Sequence, residues 1–403
     1  MKVSKTVAAL LAGALIIAAC GDDDEPTSGS NDTSPGVTEP AGDCTLDEPL
    51  KIGYVMDIGL GGIGDVPGSA GAEYQIEQIN AAGGVGGKPI EFEAKQVPDD
   101  DPAAAQRATR ELIDGGADVI LGPPFSTFGL PMLEETKGEV PVLFVTSTEI
   151  TLPDPTQASF LVSFNDKVQA SAAAQFANEQ GYTTAVTLSS TDIPYLNITT
   201  AAFTDVFEQL GGAVAADLSF SLGDESFSSQ VNEIAGMDPV PDVIYSAFFL
   251  PEAGIFLKQL REAGVESAVI SADGFDASQV WTAGPDAEGV FFTAHTFGTA
   301  NGGKVQEFLD AANAAGKKIE TISFGALGAD AAQVAASATE IACSLDGPSI
   351  AGAINNLENL DVVTGKLSYA GTSGTPQRDV VILTVTDGEP TLVKAFYPGT
   401  IAQ

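Results

Sequence analysis

Residues 103–121, AAAQRATRELIDGGADVIL, hold the pattern that decides the fold. Ala103–Asp114 reads as a helix, Gly115-Gly116 as its left-handed stop, and Asp118–Leu121 as a strand. The same grammar recurs on both sides. Upstream, Lys51–Met56 reads as a first strand, Asp57–Ser69 as a Gly-rich loop, and Ala70–Ala82 as a helix with Ala72, Ile76 and Ile79 on one face, closing on Gly83-Gly84. Downstream come helix Val168–Gln180 with strand Thr184–Leu188, helix Ile198–Leu210 with strand Val214–Phe220, and helix Ala253–Ala263 with strand Ala268–Ser271. A further helix, Val305–Ala315, ends on Gly316. Strands alternating with helices of this length imply right-handed βαβ crossovers and parallel sheets covered on both faces, so the fold class is α/β.

Composition agrees with a folded chain. Of 403 residues 44% are hydrophobic and 18% charged, and the length predicts about two or three domains. Seventeen Lys and Arg against 55 Asp and Glu give a net charge of −38, which repels phosphate backbones and excludes nucleic acid as a partner. One histidine and three cysteines, far apart in sequence, leave no transition-metal cluster, no implied cofactor and little scope for histidine-based catalysis. The acidity also suggests an environment of high salt, where screening relieves self-repulsion.

Lys2 and Lys5 precede an apolar run from Val7 to Ala19, too short to anchor in a bilayer and suited to an export signal over residues 1–19. The run ends Ile17-Ala18-Ala19-Cys20-Gly21, which resembles the bacterial lipoprotein box, and implies acylation of Cys20 and a lipid anchor at the extracytoplasmic face of the cell membrane. Residues 20–49, rich in Asp, Ser, Thr, Gly and Pro, read as a flexible tether spanning roughly 30 Å. Cys44 and Cys343 remain, and an oxidising compartment favours a disulfide between them over two buried thiols.

In an open α/β sheet, ligands bind at loops that leave the carboxyl ends of strands. Here those loops include Gly122–Thr127, Thr146–Glu149, Ser189–Tyr195 and Ser271–Phe275. Several stretches together resemble the leucine/isoleucine/valine-binding proteins of ABC importers, which have the type I periplasmic-binding-protein fold. They are Gly71-Ala72-Glu73, the run Ile79-Asn80-Ala81-Ala82-Gly83-Gly84-Val85-Gly86-Gly87-Lys88, Asp99-Asp100 with Pro102, Val119–Gly122, Phe249-Leu250-Pro251-Glu252 and Gly365–Tyr369. The resemblance covers about Leu50 to Pro398. It implies two lobes, each a parallel-sheet three-layer sandwich, joined by three crossings and closing on a small solute that is passed to a membrane permease. The first lobe is expected at 50–165 and 290–365, the second at 166–289 and 366–403, in a monomer. Hinge closure of this kind is an equilibrium that the solute shifts by its extra contacts in the closed state.

The resemblance also implies a set of ligand-binding residues. Ser126 and Thr127, at the start of a helix, would receive a ligand carboxylate; Ser147 and Thr148 would meet the ligand backbone; Asp273 would pair with its ammonium. Tyr195, Phe249 and Phe324 would cover its side chain. Two departures stand out. Glu149 replaces a threonine of the family, and Gly61–Gly64 replaces a loop containing a tyrosine. If Glu149 and Asp273 both face the cleft, two carboxylates repel unless a cation lies between them, which turns the expected solute from a branched-chain amino acid toward a cationic or amide-bearing one. A sensory lipoprotein signalling to a membrane receptor would have the same lobes. An enzyme is not expected: there is no G-x-S-x-G elbow, and the sole histidine, His295, reads as structural.

Overall fold

The computed structural model describes residues 44–98, 101–277 and 285–402. The expected export signal, Cys20, most of the tether and the Asp99-Asp100 pair lie outside these.

The first sheet is wholly parallel, in the order β2-β1-β3-β4-β5: β1 Lys51–Asp57, β2 Glu91–Val97, β3 Val119–Gly122, β4 Val142–Phe144 and β5 Ser159–Leu161. Strand alternation divides its side chains between two faces. Ile52, Tyr54, Leu121 and Phe160 pack with one set of helices, while Val55, Ile120, Phe144 and Leu161 pack on the other side. The second set is covered by α2 (Pro102–Asp114) and α3 (Ser126–Thr136). The first is covered by α1 (Gly62–Ala81), and by α9 (Ile322–Ala342) and α10 (Gly347–Asn355), which come from far down the chain. α8 (Lys304–Ala314) packs at the edge of this group through Val305 and Leu309.

α1 begins at Gly62, eight residues before the helix expected from the sequence, in what reads as a Gly-rich loop. Gly62, Gly64, Gly68 and Pro67 are poor helix formers, and tertiary contacts override them. Buried Asp65 accepts from Tyr54 Oη at 3.1 Å, from the Asp57 amide at 2.9 Å and from Thr146 Oγ1 at 2.9 Å, pinning the first turn to β1 and the loop after β4. The glycines themselves permit backbone contact with α9. A Cβ on Gly71 would stand 1.9 Å from the Gly325 carbonyl oxygen, and one on Gly328 would stand 1.8 Å from that of Gly68.

The second sheet has the order β14-β13-β10-β9-β8-β6-β7. β6 (Thr184–Ser189), β7 (Ala213–Ser219), β8 (Val243–Tyr245), β9 (Ala268–Ser271) and β10 (Phe291–Ala294) are parallel, but β13 (Val380–Thr386) runs antiparallel to β10, and β14 (Glu389–Phe396) antiparallel to β13. The sheet is therefore mixed, which corrects the expectation of two parallel sheets. α4 (Asp166–Glu179) and α5 (Pro194–Gln209) cover one face, α6 (Ser228–Ala235) and α7 (Glu252–Glu262) the other.

The chain passes between the sheets three times: after β5, after β10, and after the small hairpin of β11 (Leu360–Val362) and β12 (Gly365–Leu367). The second passage follows Ala294. A boundary at 290 would detach β10 from the sheet to which its hydrogen bonds belong. Likewise the boundary at 366 falls too early, because Tyr369 packs in the first lobe and donates to the Leu161 carbonyl at 2.6 Å. In the third passage buried Arg378 donates to Asp330 of α9 at 3.2 Å, to Thr364 Oγ1 at 2.6 Å and to the Val162 carbonyl. Cys44 and Cys343 form a disulfide with Cα atoms 5.5 Å apart, fastening the first described residue to the end of α9.

Candidate functional site

The segments that follow β1, β3 and β4 of the first lobe and β6, β8 and β9 of the second meet at one cleft. It is narrow, with a cavity volume of about 30 Å³. The first lobe contributes Leu60, Gly61, Ile63 and Gly64 after β1, Pro124 and Phe125 after β3, Thr146, Thr148 and Glu149 after β4, and Phe324 from α9. The second contributes Tyr195 after β6, Phe249 after β8, and Asp273 and Gly274 after β9. Phe125 meets Phe249 edge-on across the cleft at 6.1 Å, and Tyr195 lies against Phe249 at 5.1 Å, so the two lobes share an aromatic wall.

Two carboxylates line this wall, one from each lobe. Asp273, 4% exposed, accepts from Tyr195 Oη at 2.9 Å, and its second oxygen lies 3.0 Å from His295 Nε2. Its amide donates to Gln169 Oε1 at 3.1 Å, an atom also bound by Thr293 Oγ1 at 2.7 Å, which fixes the loop to α4 and β10. Glu149, 1% exposed, turns away from solvent to the start of α3, where Oε2 accepts from the Ser126 amide at 3.1 Å. Its Oε1 has no hydrogen-bond partner. Burial pushes the Glu149 carboxyl up from its ordinary range, and hydrogen bonds from Ser126 and Thr151 pull it partly back. A third carboxylate, buried Asp166 at the start of α4, is raised well above its ordinary range by burial and then by the charges of Asp273 and Glu149. His295 is held down by burial and therefore neutral at pH 7, its ring stacked 4.0 Å from that of Phe164.

Of the residues singled out from the sequence, Thr148, Glu149, Tyr195, Phe249, Asp273 and Phe324 come together in the cleft. Ser126, Thr127 and Ser147 do not line it. Ser126 sits inside the first turn of α3, preceded by Phe125 as N-cap. Thr127 is exposed, and Ser147 is fully buried, its Oγ accepting from the Glu149 amide at 3.2 Å. Phe125, Leu60, Ile63 and Thr146 were not anticipated as cleft residues. Phe125 could have been found from its place in Gly122-Pro123-Pro124-Phe125, a strand-end loop where a large apolar residue has no turn role. His295 is structural in its stacking, yet it also supports Asp273.

The chain belongs to the periplasmic binding protein family, whose sequence profile matches residues 49–390. It is 26% identical over 311 residues to a Leu/Ile/Val-binding protein of Rhizobium johnstonii, an alignment spanning 75% of this chain and 82% of that relative. The fold is similar to that of a leucine binding protein from Thermotoga maritima, with TM-score 0.76, 24% identity, and coverage of 87% of this chain and 99% of the other. It is also similar to that of a branched-chain amino acid transporter substrate binding protein from Streptococcus pneumoniae in complex with isoleucine, with TM-score 0.77, 22% identity, and coverage of 87% and 100%.

Proposed function

We propose that this protein is an extracytoplasmic solute-binding lipoprotein, which captures an amino acid or related small polar solute by closure of its lobes and delivers it to an ABC importer permease. The observation that carries this reading is the division of one cleft between two lobes, with Phe125 and Glu149 on one side and Tyr195, Phe249 and Asp273 on the other. A solute held there gains contacts from both lobes only when they close, so binding and closure are one equilibrium. The relatives named as Leu/Ile/Val-binding proteins support a solute of amino-acid size. The lipoprotein box at Cys20 supports membrane anchoring, and the tether supports reach to a permease.

A thermal-shift screen of the full chain against the twenty amino acids and small amines, amides and aromatic acids tests solute binding, because a ligand that binds only the folded state raises the melting temperature. At least one compound is expected to raise it by several degrees in a saturable way; no response across the panel rejects the reading. Mass spectrometry of the chain from a bacterial membrane fraction, with Cys20→Ser as comparison, tests the anchor. A diacyl mass addition lost in the variant is expected, and an unmodified chain in the soluble fraction rejects that part.

A further inference from the structure

Glu149 occupies the amide at the head of α3 with its own carboxylate. A helix start with free N–H groups beside a cleft would ordinarily attract an anionic group of the solute. Here Oε2 of Glu149 already accepts from the Ser126 amide at 3.1 Å, while Oε1, buried and without a partner, remains to receive a donor. Across the cleft stands Asp273, oriented by Tyr195 and His295. Among the described residues lining the cleft there is no Lys or Arg to meet a carboxylate. Lys317 and Lys318 line an adjoining groove that shares Leu60, Ile63 and Phe249, and Lys317 is paired with Glu73 at 3.0 Å and Glu77 at 2.7 Å. The rest of the lining is mostly apolar and aromatic, with Leu60, Ile63, Phe125, Tyr195, Phe249 and Phe324, and its polar side chains are the uncharged Thr146 and Thr148.

We propose that the cleft takes a small organic cation, an amine with an apolar body and no carboxylate, whose ammonium lies between Glu149 of the first lobe and Asp273 of the second. This rests on the solute-binding reading above and narrows its solute class. The ammonium supplies the donors that Glu149 Oε1 lacks and neutralises two like charges on opposite lobes, so the charge that recognises the solute also closes the cleft. The aromatic wall receives the hydrocarbon part and can face the cation with its ring electrons. An α-amino acid would bring a carboxylate beside Glu149 with no cation to pair it.

Isothermal titration of the full chain at pH 7 with four matched probes tests this: leucine, 3-methylbutylamine (leucine without its carboxylate), leucinamide and 4-methylpentanoate (leucine without its ammonium). The two probes lacking a carboxylate are expected to bind about 100-fold more tightly than leucine, and 4-methylpentanoate not at all. In Glu149→Gln the amide oxygen can still accept from Ser126, so the fold is retained; amine affinity should fall and leucine affinity rise, shrinking the preference to about tenfold or less. Far-UV circular dichroism checks that fold, and Asp273→Asn, expected to weaken the amines as well, serves as a second variant. Leucine binding more tightly than 3-methylbutylamine overturns the inference while leaving the solute-binding reading intact. So does an amine preference unchanged in both variants. Silence of these probes together with the whole thermal-shift panel overturns both.

Discussion

His295 Nε2 lies 3.0 Å from Asp273 Oδ2 while its ring stacks on Phe164, so residues of the first and second passages between the lobes meet at a carboxylate of the cleft. The third passage is close enough for the charge of Arg378 to act on the same imidazole. The junction and the site are thus one electrostatic unit.

Because the chain has a single histidine, its titration can be followed without assignment. Burial holds His295 below the ordinary histidine range, so the midpoint of its proton NMR titration should fall below 6.5. A midpoint above 6.5 would contradict this. His295→Phe keeps the stacking on Phe164 and removes the donor to Asp273, and should cost about 1–3 kcal/mol of stability in urea denaturation. His295→Gln, which can donate, should recover part of that loss.

Asp276 predicts a dependence of stability on pH. Burial raises its carboxyl to about 7. A carboxyl raised on folding binds its proton more tightly in the native state, so its contribution to stability is complete below about pH 4 and is lost as pH rises to about 7. His295 acts oppositely below pH 6.5, because a lowered histidine pKa favours the native state as pH rises. Comparing wild type with Asp276→Asn separates the two. The variant should be the more stable at pH 8 relative to pH 5, by up to roughly 2.5 kcal/mol in the difference, by urea denaturation at both pH values. Equal pH dependence of the two proteins would refute the assignment.

The disulfide closes a chain separation of 299 residues. Cys44→Ser with Cys343→Ser should lower stability by about 2–5 kcal/mol, since the unfolded chain regains the loop freedom that the bond removes. Guanidinium denaturation of the two proteins under non-reducing conditions measures it, and an unchanged midpoint would show the bond to be without thermodynamic weight.

Gly71→Ala tests the contact of α1 with α9. Its methyl carbon would stand 1.9 Å from the Gly325 carbonyl oxygen, and a backbone oxygen cannot swing aside as a side chain can. The helices must part, costing about 1–3 kcal/mol or more. Gly254→Ala, on α7 with no heavy atom within 4 Å of the added carbon, is the control and should be neutral or slightly stabilising.

The helix, glycine, strand repeat made the first sheet and most of the second legible, because those elements bury one face and end on glycines at positive φ such as Gly116 and Gly264. The start of α1 was not legible: its Gly and Pro content argues for a loop, and only the long-range bonds of Asp65 to Tyr54 and Thr146 reverse that. The antiparallel β13–β14 pair was missed although Asp387-Gly388, both at positive φ, is a two-residue hairpin signal. In the cleft, the segments that hold Glu149, Tyr195 and Asp273 were legible because they follow strands, and the residues themselves through the resemblance to the leucine/isoleucine/valine-binding proteins. The direction of Glu149 was not, since sequence position does not say whether a carboxylate faces water or the head of a neighbouring helix.

The glycine contacts between α1 and α9 have a bearing on how the solute range of such a protein can drift. Ile63 and Gly64 ride on one of these helices and Phe324 on the other, and neither helix can shift without displacing its neighbour's main chain. That half of the cleft behaves as a fixed mould. Tyr195, in the first turn of α5, and Phe249, in the loop after β8, are carried by separate elements of the other lobe, so selection for a larger or smaller guest would leave its marks there.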